Sequence, residues 1–282
     1  RLRNADRRDG SVSDDARPVL LFHQVEGEGE PLLILNGVFM SLASWQPVAR
    51  PLSQSFRLIR CDFRGQLMMP VPPPDDLVGH ADDVVALLDH LAIDRVHIVG
   101  TSLGGVVGAI AAARHPDRVR SLVTIASADG FHSQRAVEID RWKGACRSAL
   151  EGGDRGLLSD VVESVAFSPT WVEAHRAERA QRRAQIAALP DTWFETAIGL
   201  LEGAHSVHLR EELTAIGCPT LVVAAELDGF VSVAEVRDMA DRIPDARFEI
   251  IEGAGHAVVV EKPKRVVDLC LEFLAGHRTR ES

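Results

Sequence analysis

The serine at position 102 has the sequence surroundings of a catalytic nucleophile. It is the middle residue of a G-x-S-x-G motif, Gly100-Thr101-Ser102-Leu103-Gly104, which lies between an apolar segment, residues 96–99, and a helical segment of small residues that reaches residue 113. A sharp turn from strand to helix exposes such a hydroxyl, and the turn requires flanking residues without bulk. Because a serine hydroxyl is a poor nucleophile at neutral pH, a base must accept its proton. We therefore expect acyl-transfer chemistry at Ser102.

His256 is the best candidate for that base. It ends the segment Gly253-Ala254-Gly255-His256, which follows the last predicted strand, residues 248–251, and precedes Glu261-Lys262-Pro263. Other histidines, such as His97, fall inside or beside predicted helices and strands, where packing is the more common role. Glu261 is taken as structural.

A third residue, a carboxylate, must hold the imidazole in the right tautomer and stabilise its charged form. Asp228 is the preferred candidate because it follows the predicted strand at residues 220–225, within Glu226-Leu227-Asp228-Gly229. Two alternatives remain open. Asp129 follows the predicted strand that ends at residue 126, and Glu226 lies two positions before Asp228.

The rest of the chain has the pattern of an α/β protein. After Pro18, short apolar runs alternate with amphipathic helical segments, which predicts a mostly parallel central sheet flanked by helices. The strand signal disappears between about residues 130 and 216, where helical patterns replace it, so we expect an inserted helical cap there. Residues 18–129 and 217–282 then form the two parts of the core. Residues 1–17 are polar and without periodicity, and they predict a mobile tail.

The motif at Ser102 and the segment around His256 resemble the α/β-hydrolase family over nearly the whole chain. The chain order Ser, Asp, His is that of this family. The resemblance is to the serine-nucleophile branch with 3-oxoadipate enol-lactonases and cofactor-free haloperoxidase-like esterases. Related haloalkane dehalogenases and epoxide hydrolases have Asp in place of Ser102. The resemblance implies a serine hydrolase of the α/β-hydrolase fold that works through an acyl-enzyme and needs no cofactor.

The same resemblance implies two backbone donors for an oxyanion. One is the N–H of Leu103, directly after the nucleophile, and the other is the N–H of Val38 in Asn36-Gly37-Val38-Phe39, where Asn36 stands in place of the family's usual His. The family's D-x-R-G turn matches residues 62–65, but Leu67 replaces the next expected glycine. For the proline-rich stretch that follows, residues 70–74, two roles are open: one rim of the pocket or a surface connection.

Apolar residues predict the class of substrate. Phe39, Met40, Trp142 and Trp193 are candidates for the wall of a pocket that takes a small to medium apolar acyl group as an ester, lactone or thioester. The same triad also serves biosynthetic thioesterases, acyltransferases and cyclases, whose acyl group can be linked to a carrier. A low-turnover receptor for a small molecule is a further alternative on this fold.

Composition excludes several other classes of function. The formal net charge of −10 disfavours nucleic acid as a partner, because such binding depends on Lys and Arg neutralising phosphates. No apolar run is long enough to cross a membrane, and no secretory signal is visible, so a cytoplasmic location is expected. The four cysteines are scattered without a C-x-x-C pair, so neither a metal site nor a disulfide framework is predicted. The oligomeric state is left open.

Overall fold

The computed structural model describes residues 18–130, 133–205 and 209–277, so the predicted tail, residues 1–17, lies outside these ranges. The strands are β1 His23–Glu26, β2 Pro31–Leu35, β3 Arg57–Cys61, β4 Val96–Thr101, β5 Val119–Ile125, β6 Thr220–Ala225 and β7 Arg247–Ile251. The helices are α1 Gln46–Ser53, α2 Leu77–His90, α3 Leu103–Arg114, α4 Ser133–Leu150, α5 Leu157–Ala166, α6 Pro169–Ala174, α7 Arg179–Ala187, α8 Asp191–His205, α9 Val233–Ala240, α10 Val258–Glu261 and α11 Pro263–Ala275.

Within the described ranges, seven strands form one sheet in the order β1-β3-β2-β4-β5-β6-β7. Every neighbouring pair is parallel except β1 and β3, which are antiparallel. The predicted mostly parallel sheet is therefore confirmed. Strands β4 and β6 are buried along their whole length, because helices cover both faces of the sheet.

Two apolar cores lie on opposite faces of the sheet. Helices α2, α3 and α9 contribute to one core, and helices α1 and α11 contribute to the other. This three-layer arrangement confirms the predicted flanking helices. None of the helices in the described ranges combines the length and apolar character needed to cross a lipid bilayer.

Helices α4 to α8, which we call the inserted helices, lie between β5 and β6 in the chain, where the sequence predicts a cap. They have an apolar cluster of their own, which includes Trp142, Cys146 and Phe194. Phe39 and Phe230, which follow β2 and β6, pack against this cluster. The inserted helices are therefore seated on loops at the carboxyl ends of the strands.

The loop after β3 packs on α8. Thr196 Oγ1 donates a hydrogen bond of 2.8 Å to Gly65 O. A Cβ added at Gly199 would lie 2.8 Å from the ring of Pro73, so the proline-rich stretch contacts the outside of this helix closely. Among the described residues, none from 65 to 74 lines the cavity described below. Of the two open roles, the surface connection is the one that the structure supports.

His97 is a buried polar residue in the middle of the sheet. Its Nδ1 lies 2.7 Å from Ser121 Oγ on the neighbouring strand β5, and its side chain is fully buried. Burial lowers the pKa of His97 to about 4, although the Glu30 carboxylate, 3.6 Å from Nε2, favours the charged form. The imidazole is therefore neutral near pH 7. Its protonation at acidic pH should lower the stability of the fold.

Candidate active site

The sheet order creates a crevice at the carboxyl ends of β2 and β4. The chain moves from β2 to β3 on one side of this point and from β4 to β5 on the other, so the connections diverge there. Asn36 and Gly37 directly follow β2, and Ser102 directly follows β4. The predicted nucleophile thus lies where open α/β sheets usually bind ligands.

The turn at Ser102 has the strained backbone that the motif predicts. Ser102 has φ of 51°, in the left-handed region that non-glycine residues rarely adopt. A Cβ added at Gly100 would lie 2.3 Å from Gly104 O, and one added at Gly104 would lie 2.3 Å from Leu35 O. Ser127 Oγ donates a hydrogen bond of 2.9 Å to Ser102 O and helps to hold the turn. Close backbone packing therefore explains why both flanking residues are glycine.

The structure brings Ser102, His256 and Asp228 into hydrogen-bond contact. His256 Nε2 lies 3.0 Å from Ser102 Oγ, and His256 Nδ1 lies 2.8 Å from Asp228 Oδ2. Because the carboxylate only accepts, Nδ1 carries a proton and Nε2 is left to accept one from the serine hydroxyl. The side chains of His256 and Asp228 are 12% and 1% exposed, so the contact is largely shielded from water. This arrangement can move a proton from the hydroxyl to the imidazole.

The Asp228 carboxylate is itself held by backbone amides. Its Oδ1 accepts hydrogen bonds of 2.8 Å from both Phe230 N and Val231 N. These two donors fix the rotation of the carboxylate, so that Oδ2 is the oxygen presented to His256. Orientation of the imidazole is thereby determined by the loop after β6.

The two alternative carboxylates make other contacts. Asp129 Oδ2 lies 3.1 Å from Arg242 Nε and 3.4 Å from Arg210 Nε. Glu226 Oε2 accepts a hydrogen bond of 2.8 Å from Gly253 N. Within the described part of the chain, neither carboxylate is hydrogen-bonded to His256.

The amides predicted as oxyanion donors lie beside Ser102. Leu103 is the first residue of α3, where backbone N–H groups have no acceptor inside the helix. On the other side, a Cβ added at Gly37 would lie 3.5 Å from Ser102 Cβ, so the loop with Val38 is close to the nucleophile. In the ranges that the structure describes, the N–H groups of Val38 and Leu103 have no hydrogen-bond acceptor. Both are available to a bound oxygen.

The loop of His256 is fastened to the inserted helices on both sides of the histidine. Glu261 Oε1 accepts from Gly255 N (3.1 Å) and from Ser168 N (2.9 Å), and Oε2 accepts from Ser168 Oγ (2.6 Å). Ala257 N donates to Ala166 O at 2.7 Å. Glu261 thus has the structural role expected from the sequence. Ser168 has no corresponding sequence signal, because the two residues are 93 positions apart and no local pattern connects them.

A cavity of about 370 Å³ lies between the inserted helices and the carboxyl ends of the strands, and Ser102 and His256 line it. The structure places all four predicted pocket residues in its wall: Phe39, Met40, Trp142 and Trp193. Phe230, which the sequence analysis missed, also lines the cavity. Its ring centroid lies 5.1 Å from that of His256 and 4.6 Å from that of Trp142. The sequence signal that could have identified Phe230 is its position two residues after Asp228.

The charged groups in the cavity wall are paired. Arg135 Nη2 lies 3.3 Å from the Glu235 carboxylate, and the Glu163 carboxylate is bound by Arg182. Most of the remaining wall is apolar. Within residues 18–130, 133–205 and 209–277, no group of three or more His, Cys, Asp or Glu side chains is arranged to hold a metal ion.

A family model described as the alpha/beta hydrolase fold matches residues 30–263. The match covers most of the chain and agrees with the sheet order, so this protein belongs to the alpha/beta hydrolase fold family. The resemblance stated from the sequence is thereby confirmed at the level of the family.

Individual relatives refine this classification. The chain is 29% identical over 257 residues to a pimeloyl-(acyl-carrier protein) methyl ester esterase of Aeromonas hydrophila, which covers 88% of this chain and 96% of the relative. It is similar to the enol-lactonase from Burkholderia xenovorans LB400, with 25% identity, a TM-score of 0.79 and coverage of 90% and 96% of the two chains. A thermophilic esterase from Thermogutta terrifontis has 26% identity, a TM-score of 0.80 and coverage of 92% and 94%. This protein is thus a member of a hydrolase family whose relatives include esterases and an enol-lactonase.

Proposed function

We propose that this protein is a serine hydrolase that cleaves an ester, lactone or thioester of a small to medium apolar acyl group. The observation that carries the proposal is the continuous hydrogen-bonded series from Ser102 through His256 to Asp228, at an apolar cavity. In a buried site, such a series lets the imidazole take the serine proton while the carboxylate stabilises the resulting charge.

The reaction proceeds in two halves. Ser102 Oγ attacks the carbonyl carbon as His256 Nε2 accepts its proton, and the N–H groups of Val38 and Leu103 stabilise the oxyanion. His256 then gives the proton to the leaving oxygen or sulfur, the bond to the leaving group breaks, and an acyl-enzyme remains. A water molecule, deprotonated by His256, attacks the acyl carbon and releases the acid, and Ser102 regains its proton.

The cavity wall supports a neutral, apolar acyl group. Trp142 contacts both Phe39 and Phe230, and the Phe230 ring in turn contacts His256. These aromatic residues offer apolar contact close to the reacting carbon. Charged groups of the wall are already paired, and burying a further unpaired charge beside them would cost free energy. A volume of about 370 Å³ lies within the usual range for pockets of small molecules.

A carrier-linked acyl ester or thioester is a second candidate substrate. The observation in its favour is the relative in Aeromonas hydrophila, which is named for a methyl ester carried on acyl-carrier protein. The same residues would form the acyl-enzyme, and the group that resolves it decides between hydrolysis, acyl transfer and cyclisation.

Labelling with a fluorophosphonate probe tests the nucleophile. We expect the wild type to be labelled at Ser102 and the Ser102→Ala variant to remain unlabelled. Ser44→Ala is the matched control, because Ser44 also lines the cavity and has no histidine partner in the described structure. Absence of labelling in the wild type, or equal labelling of Ser102→Ala, would contradict the proposal.

A substrate panel then identifies the reaction. Esters, lactones and thioesters of increasing acyl length, free and carrier-linked, are assayed with and without an added alcohol, and the products are identified by mass spectrometry. Free acid in every case supports hydrolysis, and a new ester supports acyl transfer. A single stoichiometric cleavage without further turnover would favour a receptor instead.

A further inference from the structure

Gln66 lies directly beneath the loop that follows β2. Its side chain is buried, with the residue 1% exposed. The amide Nε2 donates hydrogen bonds to two successive carbonyls, Gly37 O at 2.7 Å and Val38 O at 3.3 Å. The amide Oε1 accepts from Phe63 N at 2.9 Å. One side chain therefore connects the turn after β3 to the loop beside the nucleophile.

A series of side chains fixes the direction in which the Gln66 amide points. The Trp45 indole Nε1, which can only donate, is bonded to Asn36 Oδ1 at 2.9 Å. The other end of the Asn36 amide, Nδ2, must then act as donor, and it binds Gln66 Oε1 at 2.9 Å. This leaves Gln66 Nε2 to face the loop carbonyls. Asn36, which stands where the family usually has His, thus has a defined role in this series.

The orientation of Val38 N–H follows from peptide geometry. In a trans peptide unit, the carbonyl of one residue and the N–H of the next point in opposite directions. Because Gly37 O faces Gln66, the Val38 N–H faces away from Gln66. It has no acceptor among the described residues, and Val38 lines the cavity next to Ser102.

We propose that Gln66 is a positioning residue for the oxyanion site of this protein. It keeps the Gly37–Val38 peptide in the orientation that leaves Val38 N–H free for a substrate oxygen. The inference rests on the proposed hydrolase function. It explains why a glutamine occupies position 66 in the turn after β3. Loss of one oxyanion donor typically lowers kcat by about 10²–10³.

Two variants test the orientation. Gln66→Leu removes both hydrogen bonds to the loop carbonyls, together with the acceptor of Phe63 N and Asn36 Nδ2. Because Met40 N still donates to Gly37 O at 3.1 Å, we expect a partial loss, about 10- to 100-fold in kcat. Gln66→Glu keeps the shape but turns a carboxylate oxygen toward the loop carbonyls. Repulsion should rotate the peptide, so this variant should lose more activity than Gln66→Leu at neutral pH.

The pH profile separates positioning from a general structural defect. Protonation gives the Glu side chain an O–H that can donate to Gly37 O, so the ratio of the Gln66→Glu kcat to the wild-type kcat should rise as pH falls. The ratio for Gln66→Leu should stay constant, and KM for a small ester should change little in both. A constant ratio for Gln66→Glu, or kcat within twofold of wild type for both variants, would overturn the inference.

Two further measurements complete the test. Ser121→Ala removes a buried hydrogen bond far from the loop and serves as a control for lost stability, with thermal unfolding measured for each variant. Crystal structures of the wild type and of Gln66→Leu show the orientation of the Gly37–Val38 peptide directly. If the wild type proves inactive, the proposed function fails, and the peptide still decides the positioning role: a rotated peptide in the variant supports it, and an unchanged one refutes it.

Discussion

Replacing Asp228 by Asn should disable the protein while leaving its fold intact. Asn is nearly isosteric with Asp, and its Oδ1 can keep the two hydrogen bonds from Phe230 N and Val231 N. Those two donors prevent the amide from turning over, because an NH₂ group cannot accept from them. The amide NH₂ must then face His256 Nδ1, which becomes an acceptor. The imidazole proton moves to Nε2, the atom that should receive the proton of Ser102.

The size of the effect follows from this tautomer change. A serine triad with intact geometry and the wrong tautomer loses about 10⁴ in kcat. That factor corresponds to about 5 kcal/mol of transition-state stabilisation at about 1.4 kcal/mol for each tenfold change. Since Asp228 is 1% exposed and His256 is 12% exposed, solvent can do little to reorient the pair. We therefore expect the full loss rather than a fraction of it.

Steady-state hydrolysis of a chromogenic ester measures this loss, and thermal unfolding checks the fold. Asp129→Asn is the matched control, because Asp129 also follows a strand at this edge of the sheet but contacts Arg210 and Arg242. It should retain kcat within a few-fold and lose stability instead. Asp228→Asn with turnover within tenfold of wild type, or a larger loss in Asp129→Asn, would refute the reasoning.

Three further outcomes are expected. Glu261→Ala removes the hydrogen bonds between Ser168 and the His256 loop and should lower kcat about 10- to 100-fold. Glu261→Gln keeps an acceptor for the amides of Gly255 and Ser168 and should retain most of the wild-type kcat. Equal ester kinetics for the two variants would count against a positioning role for Glu261. His97 has a pKa of about 4 in the folded protein against an ordinary value of 6.5, so between these pH values the unfolded chain binds more protons than the folded one. The free energy of unfolding should therefore fall as the pH drops through that window, by up to about 3 kcal/mol. Urea unfolding at several pH values measures this fall, and the difference between wild type and His97→Asn isolates the histidine; an unchanged pH slope in the variant would exclude it. Trp142→Ala opens the cavity wall and should raise kcat/KM for bulky acyl esters relative to short ones about tenfold; an unchanged order of preference across the panel would show that Trp142 does not set acyl size.

Local sequence was sufficient to predict the sheet and two of the three proposed catalytic residues. The alternation of apolar runs and amphipathic segments reflects which faces of each element are buried, so it predicts the layers directly. Gly100 and Gly104 mark the strained turn because a Cβ at either position would collide with backbone. His256 is distinguished by its place after the last strand of the sheet.

The choice of acid needed three-dimensional contacts. Asp228 and Asp129 both follow parallel strands, so the sequence alone places both at the same edge of the sheet. Only the folded loops decide that one carboxylate meets His256 while the other meets two arginines. The proline-rich loop is a second case, since its contact with α8 joins residues far apart in the chain.

By itself, then, the sequence of this protein determined the layered α/β fold and the strand-to-helix turn at Ser102, because each depends on residues close together in the chain. Tertiary structure decided the pairs of Gln66 with Gly37 and of Glu261 with Ser168, as well as the contact of Phe230 with His256. Each of these contacts joins residues 26 or more positions apart. Packing of the whole domain determines these contacts, and no local pattern of residue types encodes them.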